Sequence, residues 1–250
     1  MMIDNEKNIK RFEALMEEVK RDGKEELMDY IHKSDLYTAP ASTRFHLSCK
    51  GGLLQHSLNV YHCLQNKLDC PTWHQILGKI DRETMVIVPL LHDICKTYFY
   101  KIDYKNQKTY DPDKVAAADR WQVKKDNAGS FIWETVPCYT VNDLIPYGHG
   151  EKSVMMIEQF MKLTGPERFA IRWHMGYTEP KESYQQLSAA MTKYPLALAL
   201  QEADQEASTL LEDENGNRDQ KLVEKAPEKM QEQEPEFEEA EPIGGAEDDR

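Results

Sequence analysis

Apolar positions fall into helical stripes over most of this chain, and one stretch instead alternates. Residues 6–33 mix apolar and charged positions in the manner of one or two amphipathic helices. From Gly52 to about Leu68, the residues Leu53, Leu54, Val60, Tyr61, Leu64 and Leu68 share one helical side at about 100° per residue. His56 stands at the edge of that stripe, one turn before Val60. The run MVIVPLLHDICK is apolar nearly all round and predicts a central helix. Pro89 within it marks a helix start or a kink ahead of His92 and Asp93. Gly165 and Pro166 precede ERFAIRWHM and Gly176 follows it, while Pro195 opens LALALQEADQEASTLL. Proline just inside a helix start and glycine past its end are the expected punctuation, so His174 and Asp204 fall on helices. Between Thr97 and Gly148 the period shortens. YFYKIDYKNQKTY and FIWETVPCYTV alternate as strands do. The predicted fold is mostly α, a helical bundle over residues 1–211 carrying a small β-hairpin insertion at about 98–147.

Charge changes the picture at one end. The net charge is −13, but residues 212–250 alone hold 15 Asp/Glu against 5 Lys/Arg. The remainder is nearly neutral, which argues against broad duplex binding, since that needs a basic face. From 212 onward the chain is poor in apolar residues and rich in Glu, Gln and Pro, a composition that predicts a disordered acidic tail. No apolar run approaches the ~20 residues of a membrane helix, and MMIDNEKNIKRFEALMEEVK lacks the features of a signal peptide. Five cysteines, an odd number without CxxC spacing, predict free thiols and a cytoplasmic setting.

The helical segments offer His56, His92, Asp93, His149, His174 and Asp204. Imidazole and carboxylate are ligands for Mn, Fe, Co, Ni or Zn. Adjacent His92 and Asp93 lie ~100° apart on a helix, so both can lean toward one cavity. Taken singly, each histidine reads more simply as structural, and His32, His46, His62 and His74 are left as structural or solvated. Cys95 reads as a core thiol, with no signal beyond Lys96 for a reactive one. The insertion is rich in aromatics, among them Tyr98, Phe99, Tyr100, Tyr104, Tyr110, Trp121, Trp133 and Tyr139. They read as an apolar face on the core, or as platforms on which a nucleobase could stack.

GGLLQHSLNV, then LLHDICK, then a later AD in a helix resemble the HD-domain phosphohydrolase superfamily. Its H…HD…D pattern falls on His56, His92, Asp93 and Asp204. YGHGEKSV and AIRWHMG resemble the subset that binds two metals, in which His149 and His174 hold the second ion and Asp93 bridges. The resemblance covers roughly residues 36–210. IRWHMG is similar to bacterial HD enzymes that cleave dinucleoside polyphosphates. YTAPASTRFHLSCKGGLLQHSLNV is similar to the HD domain of bacterial 3′–5′ exoribonucleases, without room before Tyr37 for their OB fold. The usual HDIGK is HDICK here, with Cys95 in the glycine position.

The resemblance implies a phosphohydrolase that cleaves a phosphoester, on a nucleotide or another small phosphorylated substrate, with a hydroxide activated by one or two divalent metals. Lys96 would face the substrate phosphate and neutralise its charge. Arg172, two residues before His174, is a weaker substrate-binding candidate. Three alternatives stand beside this reading: an exonuclease on single-stranded nucleic acid, a di-iron oxygenase of the same fold, and a non-catalytic nucleotide-binding module.

Overall fold

The computed structural model describes residues 3–218. Helices α1 (Asn5–Met16) and α2 (Lys24–Lys33) open the chain. The side chain of Asp4 caps α1 by accepting from the Lys7 amide, which supplies one of the amides a helix start leaves without a partner. Helices α3 (Gly52–Asn66), α4 (Pro71–Leu77) and α5 (Arg82–Leu91) follow. The insertion then runs β1 (Tyr100–Thr109), α6 (Pro112–Ala117), β2 (Lys124–Asp126) and β3 (Gly129–Val141). Helices α7 (His149–Glu158), α8 (Gly165–Trp173), α9 (Tyr184–Lys193) and α10 (Pro195–Glu206) complete the body.

The fold is mostly helical with a small antiparallel sheet, as the periodicity predicts. Its core joins Leu53, Leu54 and Leu64 of α3 to Ile87, Leu90 and Leu91 of α5, Ile171 of α8 and Leu200 of α10. Helix α3 packs on α5 and α10, and α8 packs on α7 and α10. Two glycines permit close approaches that position the centre described below. A Cβ on Gly52 would stand 2.1 Å from the Leu47 carbonyl oxygen, and one on Gly150 would stand 2.2 Å from that of Arg172. The second contact lets the start of α7 cross the end of α8. A buried carboxylate ties three more elements together. Glu167 closes a capping box with Thr164 at the start of α8. It also takes Arg21 at 2.7 Å and the Thr84 hydroxyl at 2.6 Å.

Four details depart from the sequence reading. The central helix ends at Leu91, and Ile94–Lys96 form a 3₁₀ turn. Pro89 does not start that helix; it lies inside the last turn, just before the chain leaves helical geometry at Asp93. The insertion is a three-stranded sheet in the order β1-β3-β2 rather than a hairpin, with Tyr100 opposite Val141 and Lys124 opposite Phe131. Strand β2 is Lys-Lys-Asp, so no apolar alternation announces it. The body also continues past 211. Glu212 pairs with Asn217 in a bridge, and the Leu47 and Ser48 amides donate to the Asp213 and Glu214 carbonyls. Residues 212–218 therefore belong to the body, while the rest of the expected disordered tail lies outside the described residues. Among the described residues no helix is long and apolar enough to cross a membrane.

Candidate metal centre

Five segments of the body converge on one buried cluster. Helix α3 carries His56, and α10 carries Asp204. His92 caps the end of α5, and Asp93 turns the chain out of the helix at φ −108° and ψ 17°. His149 opens α7, and His174 caps the end of α8. The two capping histidines share a device. The last carbonyls of a helix have no amide to accept from, and here imidazoles take them. His92 Nδ1 donates to the Pro89 carbonyl at 2.9 Å, and His174 Nδ1 donates to the Ile171 carbonyl at 2.7 Å. A carbonyl oxygen only accepts, so Nδ1 carries the proton in both rings. Each Nε2 is left as a lone pair aimed into the cluster.

The third ring is held differently. His56 Nδ1 lies 3.1 Å from both carboxylate oxygens of Glu212. Glu212 is itself fixed by Asn59 at 2.8 Å and His46 at 2.6 Å. The result is that Nε2 of His56, His92 and His174 all face inward, fully buried and without a partner in hydrogen-bonding geometry. Three orphaned buried ring nitrogens carry a desolvation penalty, which cations held in the cluster would remove.

The spacing fits such a cation. Donors ~2.0–2.3 Å from one ion at a tetrahedral angle stand roughly 3.3–3.8 Å apart. Asp93 Oδ2 is 3.5 Å from His92 Nε2 and 3.6 Å from His56 Nε2. Asp204 Oδ1 is 3.2 Å from His56 Nε2. The other oxygen of Asp93 faces the opposite way, 3.5 Å from His174 Nε2 and 2.7 Å from His149 Nε2. Asp93 therefore divides the cluster into two halves. His56 and His92 approach Oδ2, with Asp204 beside His56, and His149 and His174 approach Oδ1. That is the disposition of a carboxylate able to bridge two ions.

The charges agree with this. Burial opposes ionisation of Asp93, but Lys96, His92 and His149 hold its carboxyl well below the usual range. Burial likewise opposes the charge on Asp204, and His56 outweighs it to keep that carboxyl low. On His56 burial works against protonation, yet Glu212 and Asp204 push it up to about 10. His92 goes the other way, down to about 4, chiefly through burial. The carboxylates thus raise the proton affinity of His56, His174 and Lys96, so that a proton and a metal ion compete for the Nε2 atoms of His56 and His174.

All six candidate ligands come together here. Lys96 joins them, its Nζ 2.6 Å from Asp93 Oδ2, so its charge is spent on the carboxylate rather than turned to an open cleft. Arg172 does not join them. Its guanidinium is taken by Glu151 and Glu179 and lies over the Trp173 ring, since a spacing of two residues turns it off the face of His174.

The sequence reading missed Glu212 and His46, which brace His56. Glu212 is one acid among many in an acidic run, and its partner lies 156 residues away. His46 sits in a loop, where no periodicity marks a face. That loop is held tightly, with Leu47 at φ +45°. Its carbonyl accepts from Ala41, and its amide donates to Asp213.

A cleft of about 460 Å³ opens on the cluster. It is lined by His174 and Asp204 at its floor and by Tyr177, Thr178, Gln201, Gln205, Ser208 and Thr209. Among the described residues no lysine or arginine lines it. A larger groove of about 520 Å³, between α7 and α8, is apolar and contains none of the candidate ligands. No family model matches this chain, and no curated protein or solved structure matches it either, so the centre has to be read from its own geometry.

Proposed function

We propose that this protein is a metal-dependent phosphohydrolase of the HD type that cleaves a phosphoester, with a nucleotide as the substrate class. The observation that carries the reading is Asp93. Its two oxygens face two sets of imidazoles, three of them at ligand-to-ligand spacing and His149 at hydrogen-bond distance, and the same residue holds the half-buried Lys96. His56, His92, Asp93 and Asp204 would hold one divalent transition metal, and Asp93, His149 and His174 a second. Such ions polarise phosphate oxygens and make hydroxide available near neutral pH.

The chain's own residues do the rest. The buried walls around His56, His92 and His174 keep bulk water away, which strengthens each electrostatic contact. A cation held by Asp93 Oδ2 would compete with Lys96 for that oxygen and leave the ammonium free for another partner. The Lys96 ammonium then serves a phosphate oxygen of the substrate. The cleft beside His174 and Asp204 has a size common for small-molecule sites. Its amides and hydroxyls suit a base and ribose rather than a long polyphosphate. Residence in a reducing compartment such as the cytoplasm is part of the proposal, supported by all five cysteines being free thiols.

The test is metal content after purification without chelator, read beside hydrolysis of bis-p-nitrophenyl phosphate with added Mn²⁺. About two metals per chain with turnover is the expected result. A single metal with turnover would make His149 and His174 substrate contacts. Bound iron with oxygen-dependent chemistry and no hydrolysis would favour an oxygenase, and a processive ladder on a labelled oligonucleotide would favour an exonuclease. Tight nucleotide binding without turnover would favour a binding module. Absence of any bound metal overturns the reading.

A further inference from the structure

We infer that this protein forms a two-fold dimer in which the outer edge of β1 pairs antiparallel with β1 of a second copy, centred on Tyr104.

The starting point is the sheet of the insertion. Strand β2 covers β3 only over Gly129–Phe131, so elsewhere the arm is a ribbon of two strands, β1 and β3. Such a ribbon is marginal in water on its own. Strand β1 runs ten residues along the edge of the sheet. Among the described residues no strand pairs with its outer side, and every residue from Lys101 to Lys108 is exposed. The amides and carbonyls on that side are a template for a further strand. Large apolar side chains stand in solvent on the same strand, Ile102 and Tyr104 among them.

The charges along β1 select the occupant. Lysines commonly guard an open edge by repelling other edges, and β1 carries Lys101, Lys105 and Lys108. Lys108 is already paired with Asp126. Lys101, Asp103 and Lys105 make no ion pair among the described residues, and the Asp103 carboxylate accepts from the neighbouring Tyr104 amide. An unpaired acid flanked by two unpaired bases suits a strand of the same pattern run in the opposite direction.

Register makes this specific. Two copies related by a two-fold axis through the sheet set their β1 strands antiparallel, and one residue then meets its own copy. Centred on Asp103, the pairing sets carboxylate against carboxylate and Lys101 against the partner's Lys105. Centred on Lys105, two lysines meet. Centred on Ile102, the charges agree, but only residues 100–104 of the strand are engaged. Centred on Tyr104, residues 100–108 all pair. Asp103 then lies opposite the partner's Lys105, and Lys105 opposite the partner's Asp103. Opposite charges facing each other across a ladder stabilise it, and like charges oppose it. The two Tyr104 side chains meet at the axis, where aromatic pairs add further stabilisation. Of the two registers that engage nearly the whole strand, only the one on Tyr104 is complementary. The product is a single sheet running β3, β1, then β1 and β3 of the second copy, with the open edge removed.

A contact along one strand is small, so the dimer should form in a concentration-dependent manner. Sedimentation equilibrium of the full chain tests this. The wild type should rise with concentration from the mass of one chain, 29.0 kDa, toward twice that value. Asp103→Lys and Lys105→Asp each place like charges opposite one another at both symmetry-related positions. Either should raise the dissociation constant roughly tenfold or more. Mixed in equal amounts, the two variants should associate again, because each offers the charge that the other lacks. That recovery also shows that both variants fold. A wild type that keeps the mass of one chain at every concentration overturns the inference. A dimer that both single variants leave intact lies on another surface and overturns it too. Loss in the single variants without recovery in the mixture overturns the pairing on Tyr104.

Discussion

The helical body and the 98–147 insertion dispose of their polar groups in opposite ways. In the body, His56, His92, Asp93 and His174 are all at most 2% exposed. Their charges and lone pairs meet one another rather than water. In the insertion, the ion pairs Lys108–Asp126 and Lys114–Glu134 lie in solvent. There it is the large apolar side chains that are exposed, with Ile102 at 65%, Tyr104 at 69% and Trp133 at 51%. Solvated ion pairs cost little and contribute little. Buried groups without partners cost a great deal, so they persist where something outside the chain repays them. The contrast teaches that the groups able to hold a metal ion belong to the body. The insertion is tied to it at Tyr98, whose amide donates to Asp35 and whose hydroxyl donates to the Lys33 carbonyl.

The severest way to break this comparison is Asp93→Ala. It removes the residue shared by both halves of the cluster and strands Lys96 as a buried cation. Metal loading and hydrolysis should vanish together. Loss of one partner of a buried pair should also destabilise the apoprotein by about 3–5 kcal/mol, measured by urea unfolding. A variant that still loads metal and turns over would sink the bridging role.

Next comes a buried pair in the body that touches no ligand. Glu167→Ala leaves Arg21 without its partner and removes a capping box, a loss of about 3 kcal/mol with metal content unchanged. Its pH dependence has a definite sign. Burial opposes the charge on Glu167, but Arg21, Thr84 and the Thr164 amide outweigh it, and the carboxyl falls below its ordinary 4.5. The stabilisation is complete above that value and is lost as pH falls through the lower, folded value. The gap in urea midpoint between wild type and Glu167→Gln should therefore be constant near neutrality and shrink in acid. A gap that widened in acid would contradict the assignment.

Third in size is Glu212→Gln, which separates bracing from ligation. An amide still fills the space but holds His56 less firmly. Metal affinity should fall by roughly 10–100-fold, while the far-ultraviolet circular dichroism stays that of the wild type. Unchanged affinity would mean that His56 needs no brace.

How much of this the sequence reveals follows from the same contrast. His56 is legible at the edge of an apolar helical stripe, and His92, Asp93, His149, His174 and Asp204 are legible only through the H…HD…H…H…D order, since singly each histidine reads as structural. The strands of the insertion are legible wherever apolar residues alternate, as in Phe131–Val141. What periodicity cannot carry is lost. Strand β2 has no apolar residue to alternate, and Glu212 looks like its acidic neighbours until its partner across the fold is known. The end of α5 at Leu91 is invisible for another reason. The apolar run continues through Ile94, and tertiary demands on His92 and Asp93 override helix propensity there. Composition likewise assigns the seven residues Glu212–Arg218 to the tail, because it averages over a segment whose order comes from contacts with the 41–48 loop.

The smallest expected effect tests the insertion's side of the comparison. Trp133 stands half exposed on β3, opposite Lys108 in the register, and packs edge-on against Phe131 at 5.9 Å between ring centres. Only Phe131 of that pair is buried. Trp133→Ala should therefore change stability by no more than about 0.5 kcal/mol, as surface substitutions do, and leave metal content and hydrolysis of a small phosphodiester unaltered. If the exposed face of the sheet meets a larger substrate, the same variant will weaken turnover of single-stranded oligonucleotides through loss of a stacking platform, worth about 1–3 kcal/mol per base. An equal loss on bis-p-nitrophenyl phosphate would show instead that the insertion shapes the centre itself, and the division between a chemical body and a peripheral insertion would have to be abandoned.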